Sequence, residues 1–351
     1  MSLDRRRLLQ LSGAGALFTG IPTLGCAATD VKSISGDHKV PVIDIHAHCG
    51  FEEVETLLEG TDIKLKGLAK RILTPARLQE LTDRRIDLQV LSINQYWWYQ
   101  ADESLARDVV RLHDTKLKEW CDKYPEQFVA LSSVALQYPE LAAEQLEYAV
   151  KELGLKGASV GGHVNGTVPS TEFFDPFWAK AEELDVPVFV HPGGAANLIE
   201  AGALDGRGDL KNIVGNPLET TVFLTKMIFD GTLDRFPQLK LVGAHGGGYL
   251  PSYLGRTEVA CEYRSRANCA NKRQPSDYLR SQIYVDTMVF SENGLEHLVN
   301  EMGASQIVFG SDLPFNWPGS LDLINSATYL TEDEKALILH GNLARLLKLS
   351  S

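Results

Sequence analysis

After residue 30 the chain has no run of about 18 uninterrupted apolar residues, so that part offers no membrane-spanning helix. Basic excess is missing as well. Against 46 Asp and Glu stand 34 Lys and Arg, a formal charge of −12. That balance argues against nucleic acid or an anionic membrane surface as a partner. No GxGxxG follows the first strand-like run, which counts against an open dinucleotide-binding sheet. Cysteine is scarce, five in 351 residues, and none is arranged as CxxC. Beyond Cys26, the residues Cys49, Cys121, Cys261 and Cys269 are expected as free thiols. A Cys261–Cys269 bridge is the alternative in an oxidising compartment. What is present is ordinary globular composition, 44% hydrophobic and 23% charged, at a length common for single α/β barrels.

The N-terminus reads as an address label. Asp4-Arg5-Arg6-Arg7-Leu8-Leu9-Gln10 is close to the twin-arginine export pattern, and a weakly apolar run from Leu11 to Ile21 follows. Cys26-Ala27-Ala28 then places small residues at a signal-peptidase site. The expectation is a signal peptide over 1–28, a linker over 29–40 and one domain over 41–351. The protein would use the twin-arginine machinery and work in the periplasm or elsewhere outside the cytoplasm. Leu24-Gly25-Cys26 resembles the end of a lipobox, but Thr23 stands where that motif has Leu, so lipid anchoring through Cys26 ranks second. Loss of residues 1–28, three Arg and one Asp, takes the charge from −12 to −14.

The stretch Val42-Ile43-Asp44-Ile45-His46-Ala47-His48 reads as a buried strand ending in two histidines one residue apart. In extended backbone such residues share a side and can face one point. Seven further β-rich runs follow, over 88–93, 128–134, 157–160, 186–190, 239–244, 283–285 and 306–309. Helical stretches separate them, among them 75–85, 103–123, 139–153, 177–184, 218–229 and 332–347. Eight alternating units predict an α/β fold, a single (β/α)8 TIM barrel. In such barrels active-site residues gather where strands end. Here those ends carry Asn94, His163, His191, His245 and Asp312 besides the opening pair.

A divalent metal such as zinc takes three or four N/O ligands and keeps a position open for water. His46, His48, His191 and Asp312 form such a set from strands one, five and eight. His245 would then act on the bound water as acid and base. Taken singly, His191 reads equally as a core histidine and Asp312 as a turn or helix cap. Imidazoles with one carboxylate favour one zinc per subunit over magnesium. The aromatic run Tyr96-Trp97-Trp98-Tyr99 offers a wall for a planar substrate, with Trp97 as candidate contact, or ordinary core packing.

From about residue 41 to the end the chain resembles the amidohydrolase superfamily, in the branch of aminocarboxymuconate semialdehyde decarboxylase and related metal-dependent decarboxylases and hydratases. Carrying the resemblance are Asp44-Ile45-His46-Ala47-His48, Gly161-Gly162-His163-Val164-Asn165, Phe189-Val190-His191-Pro192 and Gly215-Asn216-Pro217-Leu218-Glu219-Thr220-Thr221. Ala244-His245-Gly246-Gly247-Gly248, Phe309-Gly310-Ser311-Asp312-Leu313-Pro314-Phe315 and Gly341-Asn342-Leu343-Ala344-Arg345-Leu346-Leu347 complete it. It implies His46, His48, His191 and Asp312 as metal ligands and His245 as the residue that activates water; in a hydrolase, His245 or Asp312 would protonate the leaving group. It further implies a homodimer in which Arg256 reaches the neighbouring subunit's site to bind a substrate carboxylate. The family's other carboxylate arginine lies after strand one, where this chain has Arg71 and, beyond it, Arg77. His163 is expected to orient the barrel mouth at the substrate. The reaction expected is decarboxylation of a small unsaturated or aromatic acid; the alternative is exported hydrolysis of a lactone, ester or amide. An exported binding protein would need a missing ligand, and none is missing.

Overall fold

The structure is a computed structural model that describes residues 40–65, 67–94 and 97–349. The expected export signal with Cys26, most of the linker, and Tyr96 lie outside the described residues. Among the described residues, eight parallel strands follow one another in chain order: β1 (Ile43–His48), β2 (Leu88–Ser92), β3 (Phe128–Ala130), β4 (Ala158–Gly161), β5 (Pro187–His191), β6 (Lys240–Gly243), β7 (Ile283–Asp286) and β8 (Ile307–Val308). Between and after them stand α1 (Ala76–Asp83), α2 (Glu103–Lys123), α3 (Pro139–Lys151), α4 (Asp175–Leu184), α5 (Asn216–Phe229), α6 (Leu254–Tyr263), α7 (Glu292–Met302) and α8 (Glu332–Ala336).

Strands β1–β3 pair continuously, as do β4–β8. Backbone hydrogen bonds join the two seams. Ser132 N donates to Gly157 O at 2.9 Å and Ser159 N to Ser132 O at 2.8 Å between β3 and β4. Past β8, Ile45 N donates to Phe309 O at 3.1 Å and Asp312 N to His46 O at 2.8 Å. The circuit is the (β/α)8 barrel expected from the alternating pattern.

Period-two alternation divides the apolar side chains into two cores. Leu88, Val90, Val129, Leu131, Phe189, Val242, Tyr284 and Val308 fill the barrel interior. Their neighbours Leu91, Phe128, Val188, Leu241, Val285 and Ile307 pack outward against the helices. Helix α2 spans the expected residues. The Asp102 side chain caps it by accepting from Leu105 N, and it buries Ala106, Val109, Val110, His113, Asp114 and Leu117.

Three expectations need correction. The third strand is shorter than 128–134, because Ser132 and Ser133 turn to the Asp114 carboxylate, with Ser132 Oγ donating at 2.6 Å. The last helix is interrupted by a wide turn at Leu337–Gly341. There Phe309 N donates to Ile338 O, and Asn342 Nδ2 donates to Ala304 O and Ile307 O, tying the segment to β8. Finally, Cys261 and Cys269 are bonded, while Cys49 and Cys121 are free. The turn after α6 brings the two Cα atoms to 5.8 Å, within bridging range.

Burial pushes the Asp114 carboxyl up to about 7, although Ser132 and Ser133 donate to it. A folded pKa above the unfolded 3.8 means that stability falls as pH rises between those values, with the full cost present above about 7. At about 1.4 kcal/mol per unit the upper bound is about 4 kcal/mol. Asp114→Asn should therefore raise the melting temperature by several degrees at pH 8 and leave it nearly unchanged at pH 4. Thermal scans across that range would refute the account if the two variants ran parallel.

Candidate metal centre

The side that β1 offers to the barrel axis is decided by a bulge. Its register against β2 shifts between Asp44 and Ala47. Ile43 and Ile45 belong to the interior core, so strict alternation would turn the next even-numbered residues outward. The extra residue reverses the phase. His46 consequently packs against the interior Phe189, at 5.3 Å between ring centres, and His48 lies beside it at 5.6 Å. Asp44 stays on the other side and accepts from Ser311 N, Ser311 Oγ, Gln89 Nε2 and His46 N. This buried carboxylate clamps β1 to the segment that bears Asp312. Arg77 is buried beneath, donating to Gln89 Oε1 and His48 O, so it serves the scaffold.

His191 ends β5, and its Nδ1 lies 2.9 Å from Pro192 O. Donation to that carbonyl fixes the tautomer and leaves Nε2 as a lone-pair donor. Asp312 Oδ1 lies 2.8 Å from His48 Nε2 and 3.1 Å from His46 Nε2. One ligand atom from each of His46, His48, His191 and Asp312 falls within 4.8 Å of the others, and all four residues are buried. Despite the close approach, His46 Nε2 makes no well-formed hydrogen bond, nor does His48 Nδ1. A buried imidazole nitrogen without a partner beside a carboxylate, as His46 Nε2 is, suits a divalent cation.

The electrostatics agree. Burial alone would lower the His46 pKa, but the Asp312 and Asp286 carboxylates outweigh it and lift it to about 10. Burial likewise opposes ionisation of Asp312, yet His46 and His48 hold it well below the usual carboxylate range. The cluster thus calls for positive charge, which a cation supplies in place of the proton.

Asp286 is a further site residue, one that the strand-end pattern alone does not single out. It is buried at the end of β7 and lies 2.6 Å from His46 Nδ1. It also accepts from His245 N, Gly246 N and Met288 N. A carboxylate behind a ligating histidine orients the ring, and here it also fixes the turn carrying His245. A strand-final acid was the available signal, but nothing in one sequence says which histidine it meets. A Cβ on Gly310 would stand 3.0 Å from the Cβ atoms of both His46 and Asp286, so a larger residue there would push one or both aside.

His245 and Asp312 both have left-handed backbone, at φ 56° and 58°. For residues with a Cβ that conformation is strained and is often retained at functional sites. It turns His245 toward the cluster, its ring 5.1 Å from His46 and 5.3 Å from His191. Its Nδ1 is buried without a partner.

A cavity of about 990 Å³ opens above the cluster, with His48, His191, His245 and Asp312 in its lining. Arg71 lines it too, its guanidinium 5.2 Å from the centre of the Phe315 ring. The other candidates sit elsewhere. Trp97 is buried behind His191, 6.2 Å away, and stacks on Tyr99. His163 accepts from Gly166 N and stands 3.9 Å from Glu219, outside the cavity lining. Arg256 is exposed on α6 beside the exposed Tyr253 and Val259, and in a single chain it does not line the cavity. Glu219, buried at the start of α5, accepts from Gly162, Gly193 and Gly194 and so joins the loops after β4 and β5.

The amidohydrolase family model matches residues 43–349. The chain belongs to the amidohydrolase family. This amidohydrolase is 33% identical over 282 residues to 2-amino-3-carboxymuconate-6-semialdehyde decarboxylase of Dictyostelium discoideum, spanning 78% of this chain and 76% of that one. It is 30% identical over 294 residues to gamma-resorcylate decarboxylase of Polaromonas sp. strain JS666, spanning 78% and 90%. A solved dihydroxybenzoic acid decarboxylase from Polaromonas sp. JS666, with bound manganese and the inhibitor 2-nitroresorcinol, superposes with a TM-score of 0.76. It is 27% identical, and the match covers 88% of the amidohydrolase and 97% of that structure. Manganese in that relative means that membership alone does not select zinc.

Proposed function

We propose that this amidohydrolase is a metal-dependent carboxy-lyase that removes CO2 from a small unsaturated or aromatic carboxylic acid. One observation carries the reading: a buried three-histidine, one-aspartate cluster with an arginine on the wall of the same cavity. Relatives named as decarboxylases support it. A divalent metal, when bound, supplies Lewis-acid stabilisation of negative charge on substrate oxygen and lowers the pKa of water.

Arg71 would hold the carboxylate, since a planar guanidinium can pair with both oxygens. Departure of CO2 leaves an electron pair on the ring or alkene carbon, which must gain a proton. His245 is the proton carrier. Burial, with His46 nearby, lowers its pKa to about 4, so at neutral pH the imidazole is unprotonated and can take a proton from water and pass it to that carbon. The hydroxide left behind is taken up by the released CO2 as bicarbonate. Asp312 lines the same floor and would orient that proton. In a dimer, Arg256 from the exposed face of α6 would add a second cation at the neighbouring mouth. A monomer at assay concentration, by sedimentation, would remove Arg256 from the proposal.

The test is a panel of aromatic and unsaturated acids, lactones, esters and amides, offered to protein purified without chelator. CO2 release from at least one acid is expected. Hydrolysis without CO2 would move the assignment to the exported-hydrolase alternative, and protein devoid of metal would sink both.

A further inference from the structure

The cavity is larger than a single-ring acid needs. Its volume of about 990 Å³ lies at the top of the range of about 300–1,000 Å³ typical of drug-sized ligands. Charged groups line the floor, with Arg71 and the metal ligands, and the exposed side, with Glu200, Asp209 and the paired Asp205 and Lys211. Asn212, Asn216 and Asn316 share the lining with two apolar strips. Phe315 and Trp317 come from the loop after β8, and Ala195, Ala196, Ile199 and Leu204 from the loop after β5.

Both apolar walls are held from behind. Trp317 stacks on Phe290 at 5.1 Å with 27° between the planes. Gly193 N and Gly194 N donate to the buried Glu219 carboxylate at 3.0 and 2.7 Å. A Cβ on Gly215 would stand 3.1 Å from Leu204 and 3.5 Å from Ala195, so this wall packs directly on the start of α5. Lys211 pairs with Asp205 at 2.6 Å near the outer end. The residues that follow His191 and Pro192 are Gly193, Gly194, Ala195 and Ala196, too small to fill the space.

We propose that the substrate is an aryl carboxylic acid bearing a second ring, or a neutral apolar substituent of that size, that packs against Trp317 and the Ala195–Leu204 loop. The carboxylate end of this inference rests on the carboxy-lyase reading. A single-ring acid would leave apolar walls facing water, whereas a second ring would bury them. Glu200 and Asp209 at the rim disfavour a second carboxylate there.

Titration calorimetry on manganese-loaded protein tests the slot without requiring turnover. 3-Hydroxynaphthalene-2-carboxylic acid should bind at least about fivefold tighter than 2-hydroxybenzoic acid; any smaller ratio overturns the inference. Trp317→Ala should bring the two affinities within about twofold, and Trp317→Phe should retain most of the preference. A preference undiminished in Trp317→Ala would also overturn it. CO2 release is scored separately. Release from single-ring acids alone would reject the slot and keep the carboxy-lyase, while tight two-ring binding with no release from any acid would do the reverse.

Discussion

His245→Ala is expected to retain a full complement of metal and to lose roughly 10²–10⁴-fold in kcat, the range for removing a general acid–base. The ligand set is complete without this residue, since the four atoms within 4.8 Å of one another come from His46, His48, His191 and Asp312. Yet the His245 ring stands 5.1 Å from His46 and lines the cavity. Metal content by elemental analysis, read beside CO2 release, checks both halves. Loss of metal along with turnover would mean that His245 belongs to the ligand set and that its assignment as proton carrier is wrong.

Asp286→Asn should lower metal affinity by roughly 10–100-fold, the usual cost of losing the group behind a ligating histidine. Asp286 is buried, and despite that burial the neighbouring His46 holds its carboxyl below the ordinary value, so it is ionised at neutral pH. One of its oxygens faces both His46 Nδ1 and His245 N, while the other accepts from Gly246 and Met288. An amide that keeps the second set must point its NH2 at two donors. The His46 ring would then lose its anchor and the His245 turn would loosen. Competition with a metal-binding dye measures the affinity, and a value equal to wild type would refute the role given to Asp286.

Period-two and helical patterning made the eight alternating units and their order legible, and α2 matched its expected range. Where boundaries moved, long-range hydrogen bonds overrode local preference. Asp114 bends the chain after β3, and Asn342 opens the last helix toward β8. The disulfide was illegible for a similar reason, because a spacing of eight residues does not report a Cα separation. Arg71 could not be told from Arg77 by position along the chain. Both are buried, and their surroundings separate them, one lining the cavity and the other bound to Gln89 and the His48 carbonyl.

By itself, the sequence determined that polar, metal-competent side chains stand at or just past the ends of β1, β5, β6 and β8, because each apolar, β-rich run there gives way to them. It also determined that His46 and His48 share a side, because the strand repeat is two. Which side they share was decided only in three dimensions. The extra residue in β1 appears only against the register of β2, and it turns both imidazoles inward. The left-handed turns at His245 and Asp312 and the Asp286 carboxylate then aim those groups at one point. Each depends on contacts made across the barrel by residues far apart in the chain.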